Sequence, residues 1–253
     1  MCGRYTLTIN GSALTALFDA QWESGATGEQ WHPRFNVAPE QRVPVLVGEG
    51  SGTGLSRSIR YMKSGLVPRR AKDEADGARL INARAETLDE KPSFRDSFAK
   101  RRCLIPADGF YEWDAAKTPH RAVLPGGQPH CYAGVWDEWR GPGGDVLCSF
   151  AIITREASPQ IHHIHNRMPV IVPKESYNAW LDEKNLDLSS LKRMLLYGKS
   201  EPLRAYAVSK VVNSARHDAL DCITAATELT VETERPADRK RDLRQMDLFG
   251  GGS

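Results

Sequence analysis

"RCLIPADGFYEW", residues 102–113, reads as β-structure: β-branched and aromatic residues of the kind that fit a pleated, half-buried surface. It also carries a carboxylate, Glu112, between two aromatic residues, where such a surface prefers apolar groups. Similar short runs recur on both sides of it. "VPVLVG" (43–48) and "ARLINAR" (78–84) precede it, while "HCYAGVWDEW" (130–139), "VLCSFAIIT" (146–154), "MPVIVP" (168–173) and "LRAYAVS" (203–209) follow. Turn-forming clusters such as "LPGGQP" and "RGPGGD" bound them. Helical periodicity is confined to "SALTALFDAQW" with Ser12 as the expected N-cap, "KESYNAWLDE", and "LSSLKRMLLYG" ending at Gly198. Helices this few, without regular βα alternation, argue against a doubly wound sheet. The expectation is one α+β domain over residues 1–226, built around a curved, mostly antiparallel sheet with a few flanking helices. "GEGSGTGLS" (48–56) is expected to be a flexible loop. From Glu228 onward the chain turns charged and poor in apolar residues, the composition of a disordered tail (227–253).

Composition narrows the class. The chain has 253 residues, 40% of them hydrophobic and 26% charged, as expected of a soluble globular protein with a sizeable core. No apolar run approaches the ~20 residues a bilayer requires, and no secretory signal is visible, so a cytoplasmic protein is expected. Five cysteines with no C-x-x-C pair fit a reducing compartment and argue against a disulfide framework or zinc knot. Cys103, Cys131 and Cys148 sit in apolar runs and read as small buried hydrophobes. Net charge is only +2, yet residues 57–102 hold 13 Lys and Arg against 7 Asp and Glu. A basic segment in a near-neutral chain suits an anionic ligand on one face, although a solvated mixed-charge face is the plainer reading.

Several polar residues stand out. "INAR" sets Asn82 and Arg84 two apart on a strand, hence on one side of it, where they line a pocket if one exists. Glu112, between Tyr111 and Trp113, should be desolvated, which raises a carboxyl pKa and makes a general acid or base. A rim glutamate paired with arginine is the plainer alternative. "HHIHNRMP" gathers His162, His163, His165 and Arg167, but no carboxylate or cysteine at ligand spacing accompanies them, so no metal and no other cofactor is expected. At the start, "MCGRYT" places a cysteine at position 2, where removal of Met1 exposes a residue bearing both an α-amine and a thiol.

"MCGRYT", "RFNVAP" (34–39), "GLVP" (65–68), "INARAET" (81–87), "ADGFYEW" (107–113) and "IHNRMPVIV" (164–172), in this order, resemble the SOS-response-associated peptidase (SRAP) family over about residues 1–215. The resemblance implies a protein that captures abasic sites in single-stranded DNA and shields them during replication and the SOS response. In it, the N-terminal cysteine forms a thiazolidine with the open sugar aldehyde, a lyase-like crosslinking activity. It further implies a catalytic set of Cys2, Asn82, Glu112 and His165, with Arg84 on a phosphate and Arg4, Asn36 and Arg167 as further DNA contacts. His162 and His163 match no family position and read as scaffold. The family name supplies an alternative, an N-terminal-nucleophile cysteine peptidase acting on its own Met1 or other peptides. The stretch "YMKSGLVPRR" departs from the family pattern, with Lys63-Ser64 and Arg69-Arg70 flanking "GLVP" where aromatic residues are common. In the tail, Gln245, Leu248 and Phe249 lie within "QMDLF", which resembles the peptide that docks bacterial proteins on the replicative sliding clamp. A monomer is expected.

Overall fold

The computed structural model describes residues 3–50, 52–199 and 202–226. Fourteen strands and five short α-helices make an α+β fold, and ten of the thirteen strand pairings among the described residues are antiparallel.

The strands are β1 (Tyr5–Leu7), β2 (Gln21–Trp22), β3 (Arg34–Val37), β4 (Arg42–Glu49), β5 (Ser56–Ser64), β6 (Asn82–Arg84) and β7 (Arg102–Ala107). They continue as β8 (Gly109–Trp113), β9 (Pro119–Val123), β10 (His130–Arg140), β11 (Val146–Glu156), β12 (Arg167–Pro169), β13 (Ile171–Val172) and β14 (Arg204–Ala207). One sheet runs β14-β9-β8-β1-β3. The other runs β12-β11-β10-β7-β4-β5-β2, and β5 also pairs in parallel with β11 through Lys63↔Ser149 and Ser64↔Phe150. That pairing closes β11, β10, β7, β4 and β5 into a ring, so the expected single curved sheet is two sheets, one of them a small barrel. Closure removes the free edges that an open sheet exposes. Val45, Leu46, Ile59, Met62, Leu104, Ile105, Val135 and Phe150 are fully buried in the core.

Residues 102–113 join the two sheets. The run breaks at Asp108, with β7 in the barrel and β8 in the five-stranded sheet. The break follows from the chemistry of a buried carboxylate, which needs donors. Thr6 Oγ1 donates to Asp108 at 2.5 Å, Thr8 Oγ1 at 2.7 Å and Arg121 Nη2 at 2.9 Å. Those donors come from β1, the residue just after it, and β9.

The helices are α1 (Gly11–Phe18), α2 (Arg95–Lys100), α3 (Pro159–His162), α4 (Tyr177–Leu181) and α5 (Leu188–Tyr197). Asn10, rather than Ser12, caps α1, accepting the Ala13 N–H at 2.9 Å. Gly198 terminates α5 as expected, its N–H reaching Met194 O. The expected loop at 48–56 is trimmed at both ends by strand: β4 and β5 pair up to Glu49↔Ser56, Gly50 and Gly52 take positive φ between them, and Gly52–Gly54 forms a 3₁₀ turn. Of "ARLINAR" only Asn82–Arg84 is strand, because residues 74–79 wind into a 3₁₀ segment capped by Asp73.

Candidate functional site

The site forms where β8 meets the two short strands beside β11. β6 and β12 lie on opposite sides of β11, with Arg84 and Pro169 both level with Thr154. This brings residues from "INAR" and "IHNRMP" to one end of the sheet. β8 supplies Glu112 from across the junction.

Glu112 is 4% exposed. Burial, opposed by too little positive charge, raises its carboxyl to about 7. Near neutral pH the group therefore populates both protonation states, which a proton shuttle needs. His165 Nδ1 stands 3.9 Å from Glu112 Oε2. Burial lowers the His165 pKa, so the ring is neutral at pH 7. Its Nδ1 lies 3.0 Å from the Arg167 backbone nitrogen and 3.2 Å from the Arg167 carbonyl oxygen; accepting from the first places the ring proton on Nε2, and donating to the second places it on Nδ1.

Arg167 itself is held on the protein. Its guanidinium clasps Glu86 at 2.6 and 2.9 Å and donates to Thr154 O at 2.7 Å. That bidentate pair keeps the Glu86 carboxyl below its ordinary value. Glu86 and Thr154 were not singled out from sequence; the acidic residue two after Arg84 was the available signal. Arg84 is exposed, and no hydrogen bond to its guanidinium is formed among the described residues. Asn82 is half-buried on the same strand, two residues before it.

Arg4 and Asn36, expected at the DNA, are tied to each other and to the protein's own backbone. Asn36 is fully buried, and its amide donates to Val212 O (3.2 Å), Ser214 O (3.0 Å) and His217 O (2.7 Å). Its Oδ1 accepts from Arg4 at 2.9 and 2.6 Å, and Arg4 reaches Val212 O as well. The pair fastens the segment around residues 212–217 to β1 and β3. With every polar atom of Asn36 engaged internally, a phosphate has nothing to bind there.

Part of the basic segment is turned into the protein. Arg102 is 1% exposed and donates to Trp180 O at 2.7 Å and Phe98 O at 2.9 Å, while Arg57 reaches Phe18 O at 2.7 Å. His162 and His163 are exposed on and after α3 and do not gather with His165. Among the described residues, the one group of three potential metal ligands is His217, Asp221 and Cys222, and there His217 Nε2 is paired with Asp221 at 2.7 Å. No helix of the described residues is long and apolar enough to cross a membrane. Cys2 and the clamp-like residues Gln245, Leu248 and Phe249 lie outside the described residues. The first strand nevertheless sets a direction. β1 pairs with β8 through Tyr5↔Phe110 and Thr6↔Gly109, and Tyr111 N–H donates to Arg4 O at 2.9 Å, so the ladder runs from Thr6 back toward Glu112.

The chain is similar to known proteins. Abasic site processing protein YoqW of Bacillus subtilis (strain 168) is 37% identical over 227 residues, covering 88% of this chain and 99% of its own length. Abasic site processing protein HMCES of Mus musculus is 30% identical over 283 residues, covering 94% of this chain and 79% of its own. A crystal structure of a protein from Bacteroides thetaiotaomicron matches with a TM-score of 0.77 at 23% identity, over 88% of this chain and all of that one, which shows the fold. A Bordetella bronchiseptica structure matches at 0.67 and 25% identity over 82% of this chain. The family model described as SOS response associated peptidase (SRAP) matches residues 1–215, and the chain belongs to that family.

Proposed function

We propose that this chain captures abasic sites in single-stranded DNA through a thiazolidine on Cys2, formed once Met1 has been removed. The observation that carries the reading is a buried carboxyl raised to about 7 beside a neutral histidine, on the strand against which the chain's start is paired. The names of the relatives, abasic site processing proteins, support the substrate.

The steps balance without a co-reactant. The closed deoxyribose opens to an aldehyde as a proton leaves its hydroxyl and another reaches the ring oxygen. The Cys2 α-amine adds to the aldehyde carbon, and loss of water gives an imine. The Cys2 thiol then adds its sulfur to that carbon and its proton to the nitrogen, closing a five-membered ring. An imine alone hydrolyses; the tethered thiol traps it at very high effective concentration. Glu112 gives the proton that lets water depart and takes one in the reverse direction. His165, with its ring proton on Nε2, donates to the oxygen of the opened sugar. Asn82 positions that sugar or the new ring, and Arg84 holds a flanking phosphate.

A peptidase acting on its own Met1 draws on the same cysteine and carboxylate, so the test separates the two. Protein mixed with abasic single-stranded DNA yields a heat-stable species whose mass is the sum of both partners less one water. Cleavage of peptides without that species supports hydrolysis instead. At the other end of the chain, Gln245, Leu248 and Phe249 are proposed to dock on a bacterial sliding clamp, Leu248 and Phe249 filling an apolar pocket while Gln245 fixes the register.

A further inference from the structure

A cavity of about 420 Å³ opens at the segment that leads into β6, and neither the crosslinking chemistry nor the phosphate contact of Arg84 uses it. Pro68 and Leu80 contribute apolar lining, and Arg69, Arg70, Arg79 and Arg95 are the basic groups around it. Asp137 lies in its wall, 3% exposed. That carboxylate presents no free charge to the cavity: Arg69 Nε reaches it at 3.2 Å, Arg101 Nε at 3.0 Å, and the Arg69 backbone N–H donates to it at 3.0 Å. The loop carrying Arg69 and Arg70 is pinned further, Val67 N–H to Ser149 Oγ at 2.8 Å and Trp139 Nε1 to Ala71 O at 2.9 Å. Asp76 and Asp96 are exposed neighbours; Arg95 Nε stands 3.6 Å from Asp96 Oδ1 across an exposed pair that a phosphate can displace, and Arg70 and Arg79 face Asp76 alone.

The chain ties this cavity to the reaction centre. Leu80, in its wall, accepts the Leu66 N–H at 3.1 Å, and Asn82 lies only two residues farther on. Two residues of chain span at most ~7 Å, a short step along a single DNA strand. An apolar surface edged by guanidinium groups has the chemistry of one nucleotide, the base laid on hydrophobic side chains and its phosphates paired with arginine. The volume suits a ligand of that size.

We propose that the cavity holds a nucleotide flanking the lesion on the same DNA strand, its base against Pro68 and Leu80 and its phosphates on Arg70, Arg79 and Arg95. The proposal rests on the single-strand reading above and extends it beyond the damaged sugar. It makes the protein sensitive to how much strand lies on one side of the lesion.

The test uses full-length protein and oligonucleotides carrying one unreactive abasic analogue, shortened nucleotide by nucleotide from one end and then from the other. Wild-type affinity drops in a single step of ~10-fold on one side only, when the cavity loses its nucleotide. In Arg70→Ala/Arg79→Ala the step is absent, and log affinity against log salt is shallower by ~0.7 for each phosphate contact removed. Both residues are exposed, so the variant folds. A variant that keeps the step, or a wild type that shows none, overturns the proposal. Covalent capture of the shortest reactive oligonucleotide by wild type, measured alongside, reports on the crosslinking reading independently.

Discussion

His165 Nδ1 and Glu112 Oε2 are 3.9 Å apart, close enough to share a pocket and too far for a hydrogen bond. Burial drives the two groups in opposite senses, the carboxyl upward to about 7 and the imidazole downward. Near neutral pH the pair therefore holds a carboxyl that can give a proton beside an uncharged ring.

The first prediction concerns pH. Dehydration to the imine requires protonated Glu112, so the crosslinking rate falls as pH rises through about 7. Glu112→Gln lacks that limb and is slower by ~10²–10⁴-fold, the usual contribution of a general acid or base. Stability moves the other way. A carboxyl raised from 4.5 to about 7 costs nothing below pH ~4, and its cost grows between the two values and is complete above the higher one. Glu112→Gln is therefore more stable than wild type at pH 8, by on the order of 1–3 kcal/mol, and equal to it at pH ~4. Denaturant titrations at the two pH values check the sign.

Asn36→Ala removes a buried amide that binds three backbone carbonyls and one guanidinium. A loss of about 2–4 kcal/mol in unfolding free energy is expected. At a temperature where the variant is folded, the salt dependence of its DNA binding matches wild type. A shallower slope with unchanged stability returns Asn36 to the list of phosphate contacts.

Arg84 and Arg167 separate in the same way. Arg84→Ala weakens binding to intact and abasic strands equally and reduces the salt slope by ~0.7, because a phosphate contact carries no lesion information. Arg167→Ala leaves Glu86 without its partner and loosens the backbone that orients His165, so it slows crosslinking more than it weakens binding. Equilibrium binding and single-turnover crosslinking on one set of oligonucleotides distinguish the two patterns.

Glu112 shows what the sequence discloses well: a carboxylate flanked by aromatics on a strand has to be desolvated wherever that strand packs. The antiparallel α+β character was legible for a similar reason, since period, composition and turn residues are local. The barrel was not, because its closure depends on a parallel contact between Lys63–Ser64 and Ser149–Phe150, far apart in the chain. β5, "SRSIRYMKS", did not read as a strand because polar residues outnumber apolar ones, and only part of it faces the core. Asn36 shows the limit for sites. Motif position cannot tell an amide offered to a ligand from one that binds carbonyls some 180 residues away. The arginine cavity was visible only as basic charge near "GLVP", and its pinning by Asp137 needed the fold.

At the other end of the chain, a peptide of residues 240–253 binds a bacterial sliding clamp with micromolar affinity, about −8 kcal/mol. Leu248→Ala with Phe249→Ala abolishes this and leaves crosslinking intact. Calorimetry with the full-length protein decides it, and absence of binding there retires the clamp proposal alone.

The central claim is that Cys2 supplies both amine and thiol, and intact mass spectrometry of the denatured adduct tests it most directly. Wild type lacking Met1 gives a stable species at the summed mass less one water. Cys2→Ala gives none, Cys2→Ser gives at most a species lost on heating, and a form retaining Met1 behaves as Cys2→Ala. A Met1-retaining protein that crosslinks at the full rate contradicts the account.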